Sequence, residues 1–414
     1  MKTAYIYLTN KEFDNTVFVT QISDWLNLYQ EKGVDFTLLE VFFYRSLLRK
    51  GWKGNQKKGI ITTLQIPSAF SVAFPSRGLF VWLNALLWSR IIKRIAKDAN
   101  SVVLMSRDIY GKEISLIRKF LAKPVYFIYD ARAASVEENI FSAVKSHSLS
   151  KKKFDVFHHI TYTEYRTLKE ADTVFAVSNQ LKRYLIRNYD VSKQRFFIYP
   201  CLSDAQKFYY NKEIRNNYRK QLGYTDEDMI ILYAGGLANA YHGTSTFMEF
   251  INQIAKSKHN TKFLLLSRDK IEEHVVYERY PNLSNRILIK SAANSEMVNY
   301  YNAADLGLLL RENVPMNNVA SPSKFAEYML CGLPTIISEG VGDYSSLCVE
   351  NHLGIVIKED EMNHPSSFDF SCLDEYKPSD DMRERIAQFG FNHLSKQARI
   401  DAVVKKMKSI GNEH

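Results

Sequence analysis

The sequence has little cysteine. Four cysteines are spread over 414 residues, at Cys201, Cys331, Cys348 and Cys372. None of them stands in a CxxC pair or at the spacing of a zinc site. This pattern argues against a disulfide framework and a structural zinc site, and it predicts reduced cysteines in a cytoplasmic protein.

Long apolar runs are also absent. No stretch reaches the roughly 18 uninterrupted apolar residues that suggest a transmembrane helix. The first ten residues, MKTAYIYLTN, do not combine a charged start with an apolar run, so no secretory signal is expected. The chain is long enough for two or three domains, each with a core of its own.

Acidic residues are outnumbered, 45 against 55 lysines and arginines, which gives a net charge of +10. A basic protein often binds an anionic partner. No zinc spacing, RNP-like motif or arginine-rich tail supports nucleic acid as that partner. An anionic membrane surface is therefore the partner class that we expect.

One helix is predicted over Leu79–Lys97, which carries Trp82 and Trp88 and ends in several cations. A basic amphipathic helix with tryptophans can lie in a bilayer interface. The alternative is a buried helix of an α/β layer, whose last turn carries cations that match the helix dipole. The sequence leaves both interpretations open.

Alternating strand and helix patterns run along the chain. A strand at Ala4–Leu8, a helix at Phe18–Tyr29 and a strand at Phe36–Val41 predict a βαβ unit with a parallel sheet. The loop Thr9–Thr16 has no GxGxxG dinucleotide fingerprint. A similar series of strands and helices follows a polar, helix-prone segment near residue 203, and a charged helix is predicted over Arg383–Met407.

The most informative stretch is 319–339, VASPSKFAEYMLCGLPTIISE. Ser321 is a candidate helix cap, Pro322 suits the first helical position, and Ser323 and Lys324 fall in the first turn. Gly332 is typical of a helix end. The segment Leu333–Ile337 then predicts a short buried parallel strand.

This stretch has the chemistry of a nucleotide site. A helix start offers free N–H groups and a partial positive charge, so an anion can bind at Ser321–Lys324. Lys324 adds a point charge for a phosphate. Glu327 lies one turn along the same helix face, where a carboxylate can accept hydrogen bonds from ribose hydroxyls.

The same run resembles the donor-site signature of retaining glycosyltransferases of family 4, which have the GT-B fold. The SPxKF-x-EY-x-x-x-GLP pattern of one bacterial subgroup matches residues 321–325, 327–328 and 332–334. The wider family often carries two glutamates eight positions apart. Here the second is Glu327, and Val319 replaces the first, a departure that this subgroup shares.

The resemblance implies an α/β protein of two Rossmann-like βαβ domains facing a cleft. We predict an acceptor-side domain over 1–202 and a nucleotide-sugar-binding domain over 203–382. The remaining residues, 383–414, are expected to form a helix that crosses back to the first domain.

Further donor-site residues are expected around Gly235 and Gly236, which follow the strand Met229–Ala234 and allow close approach of a phosphate. Family members often carry an arginine and a lysine in the next loop, where this chain has Leu237 and His242. One expected cation for the diphosphate is therefore missing, and His242 is a candidate donor-site residue in place of the other. Arg268 or Arg311 can supply the missing charge, and Arg311 ends the strand Leu306–Leu310.

On the acceptor side, Asp130 and Arg132 follow the strand Val125–Tyr129, and Glu137 comes soon after. Polar groups at the carboxyl ends of parallel strands are where ligands bind in open α/β sheets. Some family-4 enzymes carry a similar D-x-R-G…E stretch, here with Ala133 in place of the glycine. The alternative is an Asp–Arg pair that only fixes the loop.

The implied activity is transfer of a sugar from a nucleotide-diphosphate sugar to an acceptor hydroxyl, with the anomeric configuration retained. Neither a metal nor a cofactor is implied. Lys324 and Arg311 are the expected catalytic cations, since cations aimed at the departing diphosphate stabilise it electrostatically. The expected setting is surface polysaccharide or glycolipid synthesis on a lipid-linked acceptor, at the inner face of the cytoplasmic membrane.

Two other functions remain open on the sequence. One is a nucleotide-sugar epimerase of GT-B fold, which needs acid–base residues and no acceptor. The other is a catalytically silent GT-B binding module, which the missing cation at Leu237 favours.

Overall fold

The computed structural model describes residues 2–10, 19–45, 66–146, 151–192, 195–236, 244–269, 273–376 and 378–412. Leu237 and His242 lie outside the described residues. The chain forms two compact units, Met1–Tyr199 with Ile400–His414, and Pro200–Arg399. The change of unit therefore comes three residues before the predicted boundary, and again at 399/400, within the predicted C-terminal segment.

The first unit contains seven parallel strands in the order β3-β2-β1-β4-β5-β6-β7. The order reverses between β1 and β4, so a switch point lies at their carboxyl ends. The strands are β1 Thr3–Thr9, β2 Phe36–Phe43, β3 Ser68–Ala73, β4 Ser101–Ser106, β5 Val125–Ala131, β6 Thr173–Ala176 and β7 Phe196–Ile198.

The helices between these strands are α1 Asp24–Glu31, α2 Leu79–Ile95, α3 Gly111–Phe120, α4 Ser135–Lys145, α5 Lys151–Glu170 and α6 Asn179–Tyr189. The α1 helix is shorter than predicted, because the five residues Val19–Ser23 form a π-helical turn before it.

The α2 helix packs on the sheet. Trp88 is fully buried and its Nε1–H donates to the backbone oxygen of Val72, at 3.1 Å, on β3. Trp82, by contrast, remains 46% exposed. The interpretation of an interfacial helix that uses both tryptophans is therefore wrong for Trp88, and the large apolar side chains of α2 that are exposed, Leu79, Phe80 and Trp82, lie at its start.

The second unit contains six parallel strands in the order β10-β9-β8-β11-β12-β13, with its switch point between β8 and β11. The strands are β8 Met229–Ala234, β9 Thr261–Leu266, β10 Ile287–Lys290, β11 Leu306–Leu309, β12 Thr335–Ser338 and β13 Gly354–Ile357.

Helices and short 3₁₀ segments precede, connect and follow these strands, and the last helix passes into the first unit at Ile400. The helices are α7 Lys212–Gln221, α8 Thr244–Ser257, α9 Glu273–Arg279, α10 Met297–Ala303, α11 Pro315–Asn318, α12 Ser323–Leu330, α13 Tyr344–Glu350, α14 Glu359–Asn363, α15 Asp380–Leu394 and α16 Lys396–Asn412. The 3₁₀ segments are Pro281–Leu283, Pro365–Ser367 and Phe370–Tyr376.

Both faces of this second sheet are buried. On one face, Phe247 and Ile251 of α8 pack on Ile231 and Phe263. The other face, including Leu232, is covered by residues of α10 and α12. Near-continuous apolar strands such as β8 are what a parallel sheet with two covered faces requires.

The prediction of a single long helix over Arg383–Met407 is wrong, because the helix is interrupted at Ser395. This residue is extended, with ψ 147°, and separates α15 from α16. It pairs with Ser203 across an isolated bridge, in which Ser203 donates to Leu394 O at 3.1 Å and Lys396 donates to Ser203 O at 2.9 Å. The pairing partner is distant in sequence, so helical periodicity alone could not reveal the break.

Candidate functional site

The α12 helix starts differently from the prediction. Pro322 is the N-cap residue, with ψ 124°, and no side chain caps the helix. Ser321 is buried, and its Oγ accepts the Cys201 N–H at 3.0 Å and lies 2.8 Å from Tyr344 Oη. The prediction that Ser321 caps the helix is therefore wrong, because its hydroxyl forms hydrogen bonds with residues outside α12.

The end of α12 confirms the predicted role of Gly332. This residue has φ +61°, its N–H donates to Met329 O at 3.0 Å, and the Leu333 N–H donates to Tyr328 O at 2.9 Å. These two bonds form a Schellman motif. A Cβ atom at Gly332 would lie 2.5 Å from the backbone oxygen of Arg383, so α15 also approaches the turn closely.

Lys324 and Glu327 meet on one face of α12, as their spacing predicts. Lys324 Nζ donates to Glu327 Oε2 at 2.7 Å and to Tyr301 Oη at 3.0 Å. The Tyr301 hydroxyl in turn donates to the same Oε2 at 2.9 Å. The three side chains therefore form a closed triangle, in which an ammonium group and a phenol fix one carboxylate oxygen.

Tyr301 is held rigidly in this triangle. Its ring stacks on Phe208 at 5.8 Å and meets Tyr328 edge-on at 5.1 Å. Burial, together with the negative charge of Glu327, holds the pKa of Tyr301 well above its usual value, so the phenol keeps its proton.

The triangle leaves bonding capacity for a ligand. Both bonds to Glu327 end on Oε2, so neither engages Oε1, and the ammonium of Lys324 has a third donor beyond the two bonds described. The first N–H groups of α12 also have no acceptor within the helix. This end of α12 can therefore offer donors to an anion and an acceptor to a hydroxyl.

The glycine pair after β8 is only in part as expected. The Gly235 N–H donates to Leu266 O at 3.0 Å, so the sheet already uses this donor, and the close approach of a phosphate to the glycine pair stays a prediction. Tyr233 Oη donates to Gly236 O at 3.0 Å, and a Cβ at Gly235 would lie 2.7 Å from that hydroxyl oxygen. Arg268, just after β9, is exposed.

Arg311 follows β11, beside the switch point. Its N–H donates to Ser338 Oγ and its backbone oxygen accepts from the same hydroxyl, both at 2.8 Å, which ties the ends of β11 and β12 together. The guanidinium donates through Nη1 to Asn317 Oδ1 at 3.2 Å. The hydrogen bond to Asn317 of α11 therefore orients the Arg311 guanidinium.

A cavity of about 250 Å³ opens beside Arg311, at the carboxyl ends of β11, β12 and β13. Its walls bring one arginine together with three carboxylates and several uncharged side chains. The lining residues are Thr246, Arg311, Glu312, Asn313, Val314, Ser338, Glu339, Glu359, Met362 and Asn363.

In the first unit, Asp130 lies in a buried ion cluster. The side chain is 1% exposed, and Arg132 Nε lies 2.6 Å from Oδ1. Oδ2 accepts from Tyr7 Oη at 3.2 Å and lies 3.5 Å from Arg107 Nη2. The Arg132 guanidinium also stands over the Tyr199 ring at 4.6 Å. These contacts favour the alternative in which Asp130 and Arg132 fix the loop.

Glu137 is separate from that cluster. It is partly buried on α4 and accepts a hydrogen bond from Tyr184 Oη of α6 at 3.1 Å. Burial and the charge of Glu137 raise the pKa of Tyr184. Glu137 therefore joins two helices of the first unit and makes no described contact with Asp130.

Within the described ranges, no three His, Cys, Asp or Glu side chains come close enough together to hold a metal ion. No helix in that part of the chain has the length and hydropathy to cross a bilayer.

Sequence reasoning missed three residues of these clusters. Tyr301 and Asn317 orient Glu327 and Arg311, and Arg107 neighbours Asp130. Neither Asn317 nor Arg107 stands in a motif. Of these two, only Arg107 carried a signal, because it comes soon after the apolar run Val102–Met105, which predicts a strand, and ligand-facing side chains are common after such strands.

Comparison with known proteins agrees with this organisation. Residues 228–364 match the family model described as "Glycosyl transferases group 1". This match lies entirely within the second unit and includes Arg311, Lys324 and Glu327. No curated protein matches the chain.

Solved structures match along the whole chain. A sucrose-phosphate synthase from Thermosynechococcus elongatus has a TM-score of 0.66 at 14% identity, over 100% of this chain and 99% of that one. A glycosyltransferase from Rickettsia africae has a TM-score of 0.65 at 16% identity, over 99% of this chain and 98% of that one. Anabaena HepE, solved with UDP and glucose, has a TM-score of 0.64 at 13% identity, over 99% of this chain and 100% of that one. The predicted GT-B fold is confirmed.

The fold is shared with another enzyme class. A UDP-GlcNAc 2-epimerase from Neisseria meningitidis has a TM-score of 0.54 at 12% identity, over 100% of both chains. The fold alone therefore does not separate sugar transfer from epimerisation.

Proposed function

We propose that this protein is a retaining, metal-independent glycosyltransferase that uses a nucleotide-diphosphate sugar. The observation that carries the proposal is the triangle of Lys324, Glu327 and Tyr301 at the start of α12. It presents donors for a diphosphate and a fixed carboxylate for a ribose on one helix face. The family match of residues 228–364 contains this helix.

A uridine nucleotide is the first donor class to test. Anabaena HepE has been solved with UDP-glucose and with UDP, and it shares the fold of this chain at low identity. The proposed site has groups for the parts that all such donors share, a diphosphate and a ribose.

In the proposed reaction, the bond between the anomeric carbon and the donor phosphate breaks while the acceptor oxygen bonds to the same face of the sugar, and the acceptor proton passes to the departing diphosphate. Negative charge then grows on the departing diphosphate. Lys324 and the first N–H groups of α12 bind and stabilise it, and Arg311 adds a second cation. A single preorganised donor of this kind typically supplies about 3 kcal/mol.

Glu327 has a different part in this scheme. Its Oε2 is occupied by Lys324 and Tyr301, so Oε1 accepts the ribose hydroxyls. Binding of the diphosphate to Lys324 leaves the Lys324–Glu327 pair intact, because the ammonium has a third donor. Glu327 therefore positions the nucleotide and is not proposed as a nucleophile.

The acceptor proposed is a hydroxyl of a growing surface polysaccharide or glycolipid, carried on a lipid at the inner face of the cytoplasmic membrane. The net charge of +10 and the exposed start of α2 support this setting. Asp130 and Arg132 are proposed to shape the acceptor side indirectly, by fixing the loop after β5.

Epimerisation of a nucleotide sugar is the second candidate. The fold shared with the Neisseria meningitidis UDP-GlcNAc 2-epimerase supports it. An epimerase would act on the donor alone, without an acceptor.

Product analysis separates the candidates. The protein is incubated with a panel of nucleotide sugars, with and without a lipid-linked saccharide extract, and products are examined by mass spectrometry and NMR. A new glycoside with the donor's anomeric configuration, formed only with acceptor, supports the proposal. An acceptor-independent epimer contradicts it. No product with any donor would favour the silent binding module.

A further inference from the structure

Exposed apolar side chains are concentrated in the first unit. Among the described residues, twelve large hydrophobic side chains are exposed, and nine of them belong to this unit. Large exposed apolar patches on a folded protein usually mark an interaction site. We therefore looked for a binding surface among the exposed apolar side chains of the first unit.

Part of this surface is an aromatic ladder where β2 and β3 end and α2 begins. Tyr44 stacks on Phe74 with ring centroids 5.5 Å apart, and Phe74 stacks on Phe80 at 5.6 Å and an interplanar angle of only 7°. Phe43 and Leu79 flank the ladder, and Leu79 is 80% exposed. We name these five residues the aromatic tip.

The exposed charged residues described beside the aromatic tip are cations, and the carboxylate of Glu113, which accepts from Ser76 Oγ at 3.0 Å, is buried. Arg45 Nε donates to Tyr44 Oη at 3.0 Å, and its guanidinium lies 5.7 Å from the ring centroid. Arg77 is exposed between Phe74 and Leu79. Neither residues 74–82 nor α2 contains an acidic residue. Exposed apolar side chains with exposed cations beside them are complementary to an anionic lipid surface.

We infer that the aromatic tip docks the first unit on an anionic phospholipid membrane. Leu79 and Phe80 enter the boundary between headgroups and acyl chains, while Arg45 and Arg77 pair with headgroup phosphates. Trp82, half-exposed one turn after Leu79, suits the interfacial layer where tryptophans concentrate.

The geometry of the ladder favours a membrane over a saccharide. Sugars stack on a free aromatic face. Here Phe74 stacks on both Tyr44 and Phe80, and the Arg45 guanidinium stands over the Tyr44 ring. Stacked rings leave less aromatic face for a sugar, whereas the exposed side chains of Leu79 and Phe80 suit insertion among lipids.

This inference deepens the proposed function, and it rests on that function only for its purpose: a lipid-carried acceptor lies at a membrane. Vesicle binding itself requires no sugar transfer. The two ideas can therefore fail separately.

The test is flotation of the full chain with phosphatidylcholine vesicles, with or without about one third phosphatidylglycerol. The wild type is expected to float with the anionic vesicles and to be released by high salt. Leu79→Ser combined with Phe80→Ser removes apolar area, and Arg45→Glu combined with Arg77→Glu reverses the charge. Each pair is expected to weaken partitioning by about tenfold or more.

The matched control is Val349→Ser combined with Phe391→Ser. These side chains are 59% and 44% exposed but belong to the second unit, so the pair is expected to leave partitioning unchanged. Thermal stabilisation by a nucleotide diphosphate checks the fold of each variant and reports on the proposed donor site independently.

Three results would overturn the inference: a wild type that does not float with anionic vesicles, tip variants that float like the wild type, or a control that loses as much. Self-association abolished by the tip variants, without vesicle binding, would assign the surface to a second copy of the chain instead. Vesicle binding with no nucleotide effect would support the tip and count against the proposed function.

Discussion

Lys324 and Glu327 form an ion pair of 2.7 Å one turn apart on α12, and both bond to the hydroxyl of Tyr301. The residue expected to hold a phosphate and the residue expected to hold a ribose therefore act as one unit. A substitution at either end, or at the tyrosine, should change nucleotide binding through the other members.

The first prediction concerns Tyr301→Phe. It removes the phenol that fixes Glu327 Oε2 and keeps the ring that packs on Phe208 and Tyr328. Because hydrogen bonds to charged groups contribute about 1.5–3 kcal/mol, nucleotide diphosphate affinity should fall by about tenfold or more. Isothermal titration calorimetry measures the loss.

Tyr277→Phe is the control for that experiment. It removes the hydroxyl that donates to Ile287 O at 3.3 Å, elsewhere in the second unit, so affinity should not change. Equal losses in the two variants would mean that the effect of Tyr301→Phe comes from general destabilisation.

The second prediction identifies the cation that replaces the arginine missing at position 237. Arg311→Ala should lower the sugar-transfer rate by about a hundredfold, because one cation aimed at the leaving group is removed. Arg268→Ala should cost far less, since this side chain is exposed and Arg311 is directed by Asn317. Initial rates at saturating donor compare them. The reverse ranking would assign the role to Arg268.

The third prediction tests the close approach of α15 to the end of α12. Gly332→Ala forces an alanine into φ +61° and sets its Cβ against the Arg383 backbone oxygen, so unfolding free energy should fall by about 3 kcal/mol. Gly223→Ala, at φ +75° with open space around it, should cost only about 1 kcal/mol. Urea unfolding followed by far-ultraviolet circular dichroism compares the two. Equal losses of unfolding free energy in the two variants would mean that the contact with α15 adds nothing to the effect of Gly332→Ala.

The fourth prediction concerns Glu40, which is buried on β2 opposite Thr9 of β1. Neither of its carboxyl oxygens has a hydrogen-bond partner among the described residues. Burial raises its pKa from 4.5 to about 8. Between these values the native state keeps a proton that the unfolded state has lost, so wild-type stability should fall as pH rises.

Glu40→Gln is neutral at every pH and should lack this dependence. Its stability relative to the wild type should therefore rise between about pH 5 and about pH 8. Urea unfolding followed by tryptophan fluorescence is suitable, because all four tryptophans lie within the first 88 residues. Parallel pH profiles for the two proteins would contradict the prediction.

Local chemistry was predictable from the sequence, while long-range partners were not. The helix start, the Lys324–Glu327 spacing and the turn at Gly332 depend on neighbours a few residues away, and they are found as predicted to within one residue. Ser321 failed as a cap because its partner Cys201 lies 120 residues earlier. The break at Ser395 likewise depends on the distant Ser203.

Two further differences have the same origin. Arg107 reaches Asp130 only because β4 and β5 are neighbours in the sheet, and the sequence does not state strand order. Trp88 is buried because α2 packs on β3, whereas the sequence pattern of α2 suits a membrane surface and a protein core equally. Sequence patterns predict helices and strands well, but which face of a helix or strand is buried depends on its neighbours in the fold.

The most direct test of the account is thermal stability with a panel of nucleotide diphosphates, for the wild type, Lys324→Ala and Glu327→Ala. The account predicts that one nucleotide stabilises the wild type and that both substitutions abolish the effect. Such a result would place the donor site at α12 and identify the base. Stabilisation that survives both substitutions, or none with any nucleotide, would contradict the central claim.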